Sequence, residues 1–177
     1  INAMNHMKMT PLHVAVAKNH KDMVNILLDR NACINAVDDE MILPLHVAVA
    51  KNHKDMVNIL LDRNADINAM NIRKTTPLDY AIIEGYKDIF TILLERNANI
   101  KIQNNVGDTP LHTAVIKKNK EMIVELINRN ADLTTKNKKG YQPYETAIRY
   151  KLSQEIIELL RPPFLIKDKE VKEDDTY

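Results

Sequence analysis

The chain has 177 residues, 45% of them hydrophobic, and 25 Lys+Arg stand against 24 Asp+Glu for a formal net charge of +1. That size supports one modest core or a short stack of small units, and the hydrophobic content argues against global disorder. Balanced charge argues against life on nucleic-acid phosphates, which usually brings a basic excess. The single cysteine, Cys33, excludes an intrachain disulfide and a cysteine-based zinc site. It suits a reducing compartment, and the cytoplasm is the expected location. No apolar run approaches the length of a membrane span. Gly is scarce at 3 residues, whereas Asn (19), Lys (18) and Ile (20) are abundant. That bias resembles proteins from AT-rich genomes.

The rare residues act as a ruler. Pro11, Pro44, Pro77, Pro110 and Pro143 are each 33 residues apart, a period that signals stacked supersecondary units. Residues 11–32 and 44–65 both read PLHVAVAKNHKDMVNILLDRNA. Three further copies follow: PLDYAIIEGYKDIFTILLERNA at 77–98, PLHTAVIKKNKEMIVELINRNA at 110–131, and PYETAIRYKLSQEIIELLRPP at 143–163.

Ile1–Thr10 aligns with Ile67–Thr76, so residues 1–9 read as part of a finger belonging to an upstream unit. In the first unit Thr10 is placed as an N-cap and Pro11 at N1. Leu12, Ala15 and Val16 follow at helical spacing, and the helix stops near Asn19. A second helix runs from Asp22 to Asp29 on the apolar face Met23, Val24, Ile26, Leu27 and Leu28. Asn31 ends it, since a reversal there favours Gly first and Asn second. The next units repeat the plan. Ala15, Ala48, Ala81, Ala114 and Ala147 form a small-residue column where another backbone approaches closely. Leu27, Leu60, Leu93, Leu126 and Leu159 form a core column, and Met23, Met56 and Met122 are placed in core columns as well. At the first stop Asn19, Asn52 and Gly85 give way to Lys118 and Lys151, where strain or a shifted turn is expected. Gly107 and Gly140 lie between units, in stretches whose alternating character predicts hairpin-like fingers. The repeat domain spans 10–163, with units starting near 10, 43, 76, 109 and 142. The last unit is more polar at Ser153, Gln154 and Glu155, as a C-terminal cap should be. Residues 164–177 form a charged tail.

These residues carry a resemblance to the ankyrin-repeat family, through TPLHVA at 10–15, LPLHVA at 43–48, TPLDYA at 76–81 and TPLHTA at 109–114. The second half of each unit (MVNILLDRNADIN at 56–68, for example) is similar too. The resemblance covers about residues 1–161 and implies an all-α repeat fold. That fold is a solenoid of about five helix-turn-helix units joined by β-hairpin-like fingers, each unit touching only its neighbours. Met41 and Lys74 stand where the family finger usually has Gly, so those two fingers are expected to be less regular.

Nothing in the pattern points to catalysis. His13, His46 and His112 share one column and read as structural imidazoles bonded to a neighbouring loop; 33-residue spacing spreads them along a rod, away from any common metal. His20 and His53, at helix starts, read as solvated. No phosphate-binding loop or nucleophile elbow occurs. The expectation is therefore no enzyme, no catalytic residue, no metal, no cofactor and no small-molecule substrate.

The resemblance implies a non-enzymatic scaffold or adaptor that binds a protein on the concave face of fingers and inner helices. For a parent in an AT-rich intracellular organism, an effector delivered into a host cell fits the same reading. The alternative is a regulatory or targeting segment of a larger enzyme. Finger-tip candidates are Asp39, Glu40, Ile72, Arg73, Val106, Asp108, Lys138, Lys139 and Tyr141. Inner-helix candidates are Ile83, Glu84, Ile116, Lys117, Arg149 and Tyr150. The second finger is acidic (Asp38, Asp39, Glu40) and the last is basic (Lys136, Lys138, Lys139). The first unit duplicates an internal one and so has no polar cap. The chain is therefore expected to be a monomer or to associate end to end through that unit.

Overall fold

The structure, a computed structural model, describes residues 1–162. Pro163 and the charged tail at 164–177 lie outside the described residues. Ten helices form five pairs among the residues described: α1 (Pro11–Ala17) and α2 (Lys21–Asp29), α3 (Pro44–Ala50) and α4 (Lys54–Asp62), α5 (Pro77–Glu84) and α6 (Lys87–Glu95), α7 (Pro110–Ile116) and α8 (Lys120–Asn128), α9 (Pro143–Arg149) and α10 (Gln154–Leu159). Each odd helix opens on a proline, whose missing N–H would have had no intrahelical acceptor. The residue before each proline is extended, with ψ of 165° at Thr10, 161° at Leu43, 166° at Thr76, 167° at Thr109 and 164° at Gln142.

The odd helices stack on one another in one layer, and each even helix packs on its odd partner. The alanine column makes this stacking possible: Ala15, Ala48, Ala81, Ala114 and Ala147 are all buried. The even helices seal the outside with apolar residues three and four apart, such as Met56, Val57 and Leu60 in α4 and Met122, Ile123 and Leu126 in α8.

Every reversal uses a left-handed residue. Asn19, Asn52, Gly85, Lys118 and Lys151 have positive φ at the first stop, and Asn31, Asn64, Asn97 and Asn130 at the second. The turn at Lys118 is not shifted. Its N–H bonds to Val115 O at 3.0 Å, as Asn19 N–H bonds to Val16 O at 3.0 Å. Packing on both sides holds the backbone there and forces Lys into a conformation that suits glycine. The fingers at Met41 and Lys74 are equally regular. Their φ values of 57° and 55° are left-handed like the 80° of Gly107, and their turn bonds to Asp38 O and Asn71 O repeat that of Gly107 to Asn104 O.

The fingers contain no strand among the described residues. Besides the turn bond, one further backbone bond closes each tip: Asp38 N to Ile42 O, Asn71 N to Thr75 O, Asn104 N to Asp108 O and Asn137 N to Tyr141 O. A side chain does the rest. Oδ1 of Asn5, Asp38, Asn71, Asn104 and Asn137 each accepts two backbone N–H groups, two and four residues ahead. Successive fingers are then joined by backbone bonds of 3.0 Å from Ile72 N to Glu40 O, Asn105 N to Arg73 O and Lys138 N to Val106 O. At Gly107 an added Cβ would lie 2.6 Å from Lys138 N, so close approach as well as φ favours glycine there.

Three further expectations need correction. Met23 is 49% exposed, whereas its counterparts Met56 and Met122 are buried, because no unit among the described residues packs over the outer side of α2. Leu159 is exposed at the opposite end, where Leu160 takes the core position. His53 is not simply solvated: its Nδ1 lies 3.1 Å from Val16 O and ties α4 to the end of α1.

Unit-to-unit register has a surface component. Lys21 pairs with Asp55, Lys54 with Asp88 at 3.1 Å, Lys87 with Glu121, and Lys120 with Glu155 at 2.7 Å. Arg63–Asp29 (2.9 Å) and Arg96–Asp62 (2.8 Å) add a second stripe. These exposed pairs contribute little energy individually. Their regular spacing penalises a shifted stack.

Candidate functional site

The surface between the fingers and the odd helices is fixed by buried polar staples. Nε2 of His13, His46 and His112 reaches the finger carbonyl of the next unit: Ile42 O at 3.0 Å, Thr75 O at 3.2 Å and Tyr141 O at 3.0 Å. Nδ1 faces the N–H of the residue before the proline, at 3.2 Å from Thr10 and Leu43 and 3.3 Å from Thr109. Donating to a carbonyl at one nitrogen and accepting from an amide at the other requires the neutral imidazole. Burial holds the pKa of His46 and His112 below the usual histidine range. These imidazoles are thus structural, and each couples an odd helix to the following finger.

Unit 3 breaks this pattern. Asp79 occupies the histidine place and is 1% exposed. Its Oδ2 accepts from Thr76 N (3.0 Å) and Thr76 Oγ1 (2.9 Å), but Oδ1 has no partner. Burial first, with a nearby Asp108 charge adding to it, raises its pKa to about 6.

A cavity of about 100 Å³ opens between the last two fingers and the ends of α7 and α9. It is lined by Val106, Asp108, Ile116, Lys139, Tyr141, Arg149 and Tyr150 from the sequence-predicted set, together with Asn137 and Thr146. The Arg149 guanidinium lies 5.1 Å from the centre of the Tyr141 ring, and its Nη1 donates to the Tyr141 hydroxyl at 3.3 Å. Three bonds anchor Tyr141 in turn: its carbonyl accepts from His112 Nε2 and Asn137 N–H, and its N–H donates to Asn137 Oδ1. Val106 and Tyr150 are exposed, and Ile116 is half-buried.

Asp108 differs from its expected place at an open tip. It is buried, and its Oδ1 accepts from Asn137 Nδ2 at 2.7 Å. Asn137 was missed in the sequence although it belongs to the period-33 column of Asn5, Asp38, Asn71 and Asn104. Thr146 gave no signal of its own.

The remaining candidates lie outside this cavity. Asp39 and Glu40 are exposed on the second finger, where Lys8 pairs with Asp39 at 3.3 Å. Ile72 and Arg73 are exposed on the third finger, half-buried Ile83 and exposed Glu84 end α5, and Lys117 and Lys138 are exposed. Neither a metal-suited cluster of His, Cys, Asp and Glu nor a helix long and apolar enough to cross a membrane occurs among the described residues.

Comparison with known proteins agrees with this architecture. The family model for ankyrin repeats matches three times, over residues 1–71, 38–104 and 96–172. A search of curated proteins finds no match to the chain. Ankyrin repeats are generally protein-protein interaction modules. Helix pairs repeating every 33 residues, buried TPLH histidines and matches along nearly the whole length place this chain in the ankyrin-repeat family.

Proposed function

We propose that the chain is a non-catalytic interaction module that binds a protein partner along the face between its fingers and its odd helices. The observation that supports this best is the meeting of Val106, Ile116, Tyr141, Arg149 and Tyr150 around one accessible cavity. Aromatic and arginine side chains on an apolar floor are the usual make-up of a binding hot spot. The frame beneath is rigid, because Asn/Asp turns hold the fingers and histidine staples tie those that follow units 1, 2 and 4, so little ordering cost falls on association. Exposed Ile72 and the ends of α5 and α7 continue the surface toward the acidic second finger. Opposite charge at the two ends would set a partner's orientation and association rate more than its affinity.

The test pairs Ile83→Asp with Ile116→Asp in one variant. A protein captured by the wild type through this face is lost from the variant, while both unfold at the same temperature. Equal capture by both overturns the reading.

A second reading concerns the outer side of unit 1, where Val14 is exposed and exposed Met23 and Ile26 line an open hollow of about 560 Å³. The same letters in unit 2 are covered by unit 1, which supports end-to-end association through this face. Sedimentation velocity across a concentration series tests it: association lost in Met23→Asp supports the reading, and a wild type that stays monomeric throughout sinks it.

A further inference from the structure

We infer that the cavity at Arg149 and Tyr141 selects an acidic side chain, Glu or Asp, presented by an extended segment of the partner. This rests on the finger-and-helix face being the binding face, and it adds the chemistry that the face reads.

The cation is built in, not merely present. Arg149 is held by the Tyr141 ring and hydroxyl, and Tyr141 by His112 and Asn137. No carboxylate lies within ion-pair distance of Arg149 or Lys139 among the described residues, although seven of the nine ion pairs in the structure join one unit to another. A guanidinium on an aromatic face presents its N–H edge to a planar carboxylate, and a bidentate contact there is strong and directional.

A second lining residue decides which anion. Asp108 lines the same cavity and already carries negative charge in a buried place. A phosphate dianion would meet that charge at close range, whereas a carboxylate adds only one. Asp108 has a second oxygen outside its bond to Asn137, suited to a backbone N–H of an extended chain. The pocket thus combines the Arg149 donors, the Asp108 carboxyl and the apolar Val106 and Ile116 in one lining. A side-chain carboxylate with its own peptide N–H has the matching pattern.

The experiment selects 12-residue peptides from a random phage-displayed library on the full chain. Individual peptides are then measured by fluorescence anisotropy with the selected acid as Glu, Gln or phosphoserine. Glu should bind about tenfold tighter than Gln, the loss expected for one charge-assisted pair. Arg149→Met should erase that preference without changing the unfolding temperature. Arg149→Lys should restore part of it, as charge without the fork. Peptides that lose binding in the Ile83→Asp/Ile116→Asp variant yet show no acid preference overturn this inference and leave the face intact. Peptides indifferent to both variants overturn the face reading as well. Phosphoserine binding tighter than Glu, or no peptide enriched above background, also overturns the inference.

Discussion

Units 1 and 2 share all 22 residues from proline to alanine, yet they are not physically equivalent. Met56 is 0% exposed and Met23 is 49%. His53 bonds to Val16 O and Asp55 pairs with Lys21, whereas no preceding unit stands over His20 or Asp22 among the described residues. The lesson is that in a stacked chain a residue's role belongs to the interface, and the letters alone do not carry it. Local sequence builds the same helix pair twice. The neighbour then decides whether its outer side is core or surface.

The largest expected effect tests that directly. Met56→Ala removes a fully buried side chain between two units and should cost about 2–4 kcal/mol. Met23→Ala, the same change within the same local sequence, should stay within about 0.5 kcal/mol. Equilibrium urea unfolding reads both. Equal losses would show that unit 1 is covered in solution, and equal indifference would show that the stack is not tight at unit 2.

The fold was legible because its cause is periodic. Prolines mark helix starts, alanines mark close approach and asparagines mark reversals, each for a reason visible in one residue's chemistry. What escaped is what depends on a partner. Met23 looks like Met56 until the neighbour is known. The column of Asn5, Asp38, Asn71, Asn104 and Asn137 escapes a residue-by-residue reading because one carboxylate interrupts four amides, and only the shared acceptor oxygen matters. Arg149, Tyr141 and Tyr150 could be picked as candidates from residue type at positions that the family resemblance assigns to the binding face. Their convergence with Val106 from another finger could not, since it depends on how units 4 and 5 sit together. Asp79 was visible as a variant letter, but its buried, unpartnered oxygen was not.

The next prediction sharpens the comparison from the other side, with one position and a different letter. Units 2 and 4 staple their helices to the next finger with a neutral histidine, whereas unit 3 puts a carboxylate there. Their pH responses should have opposite signs. Asp79 is raised from 3.8 to about 6, so its stabilising protonation is complete below 3.8 and is lost as pH rises through 6. That shift of about two units corresponds to about 3 kcal/mol. His46 and His112 are lowered, so their contribution is present above the free histidine pKa of 6.5 and is lost as pH falls toward their folded values. Asp79→His restores the staple and should stabilise the chain by about 1–3 kcal/mol at pH 7.5. Asp79→Asn should remove the component of stability that declines between pH 4 and 7. Unfolding curves at pH 4.5, 6 and 7.5 check this. A wild type and Asp79→Asn with parallel profiles would show that the carboxyl has water or another partner.

The smallest effect holds geometry constant and changes only the residue. Asn19, Gly85 and Lys118 make the same reversal, and Lys118 has φ 57° against 75° for Gly85. The bond to the helix is also conserved: Asn119 N reaches Ala114 O at 3.1 Å, as His20 N reaches Ala15 O at 3.0 Å. The turn is therefore imposed by the packing of α7 against α8, and Lys118 carries the strain of its own Cβ. Lys118→Gly removes that strain and gives back part of the gain as extra freedom in the unfolded chain. A net stabilisation of about 0.5 kcal/mol is expected, whereas Gly85→Lys should cost at least as much. The glycine change would bring no gain if the backbone at Lys118 relaxed out of the left-handed region in solution, and that relaxation would make the fourth unit's turn unlike the first three.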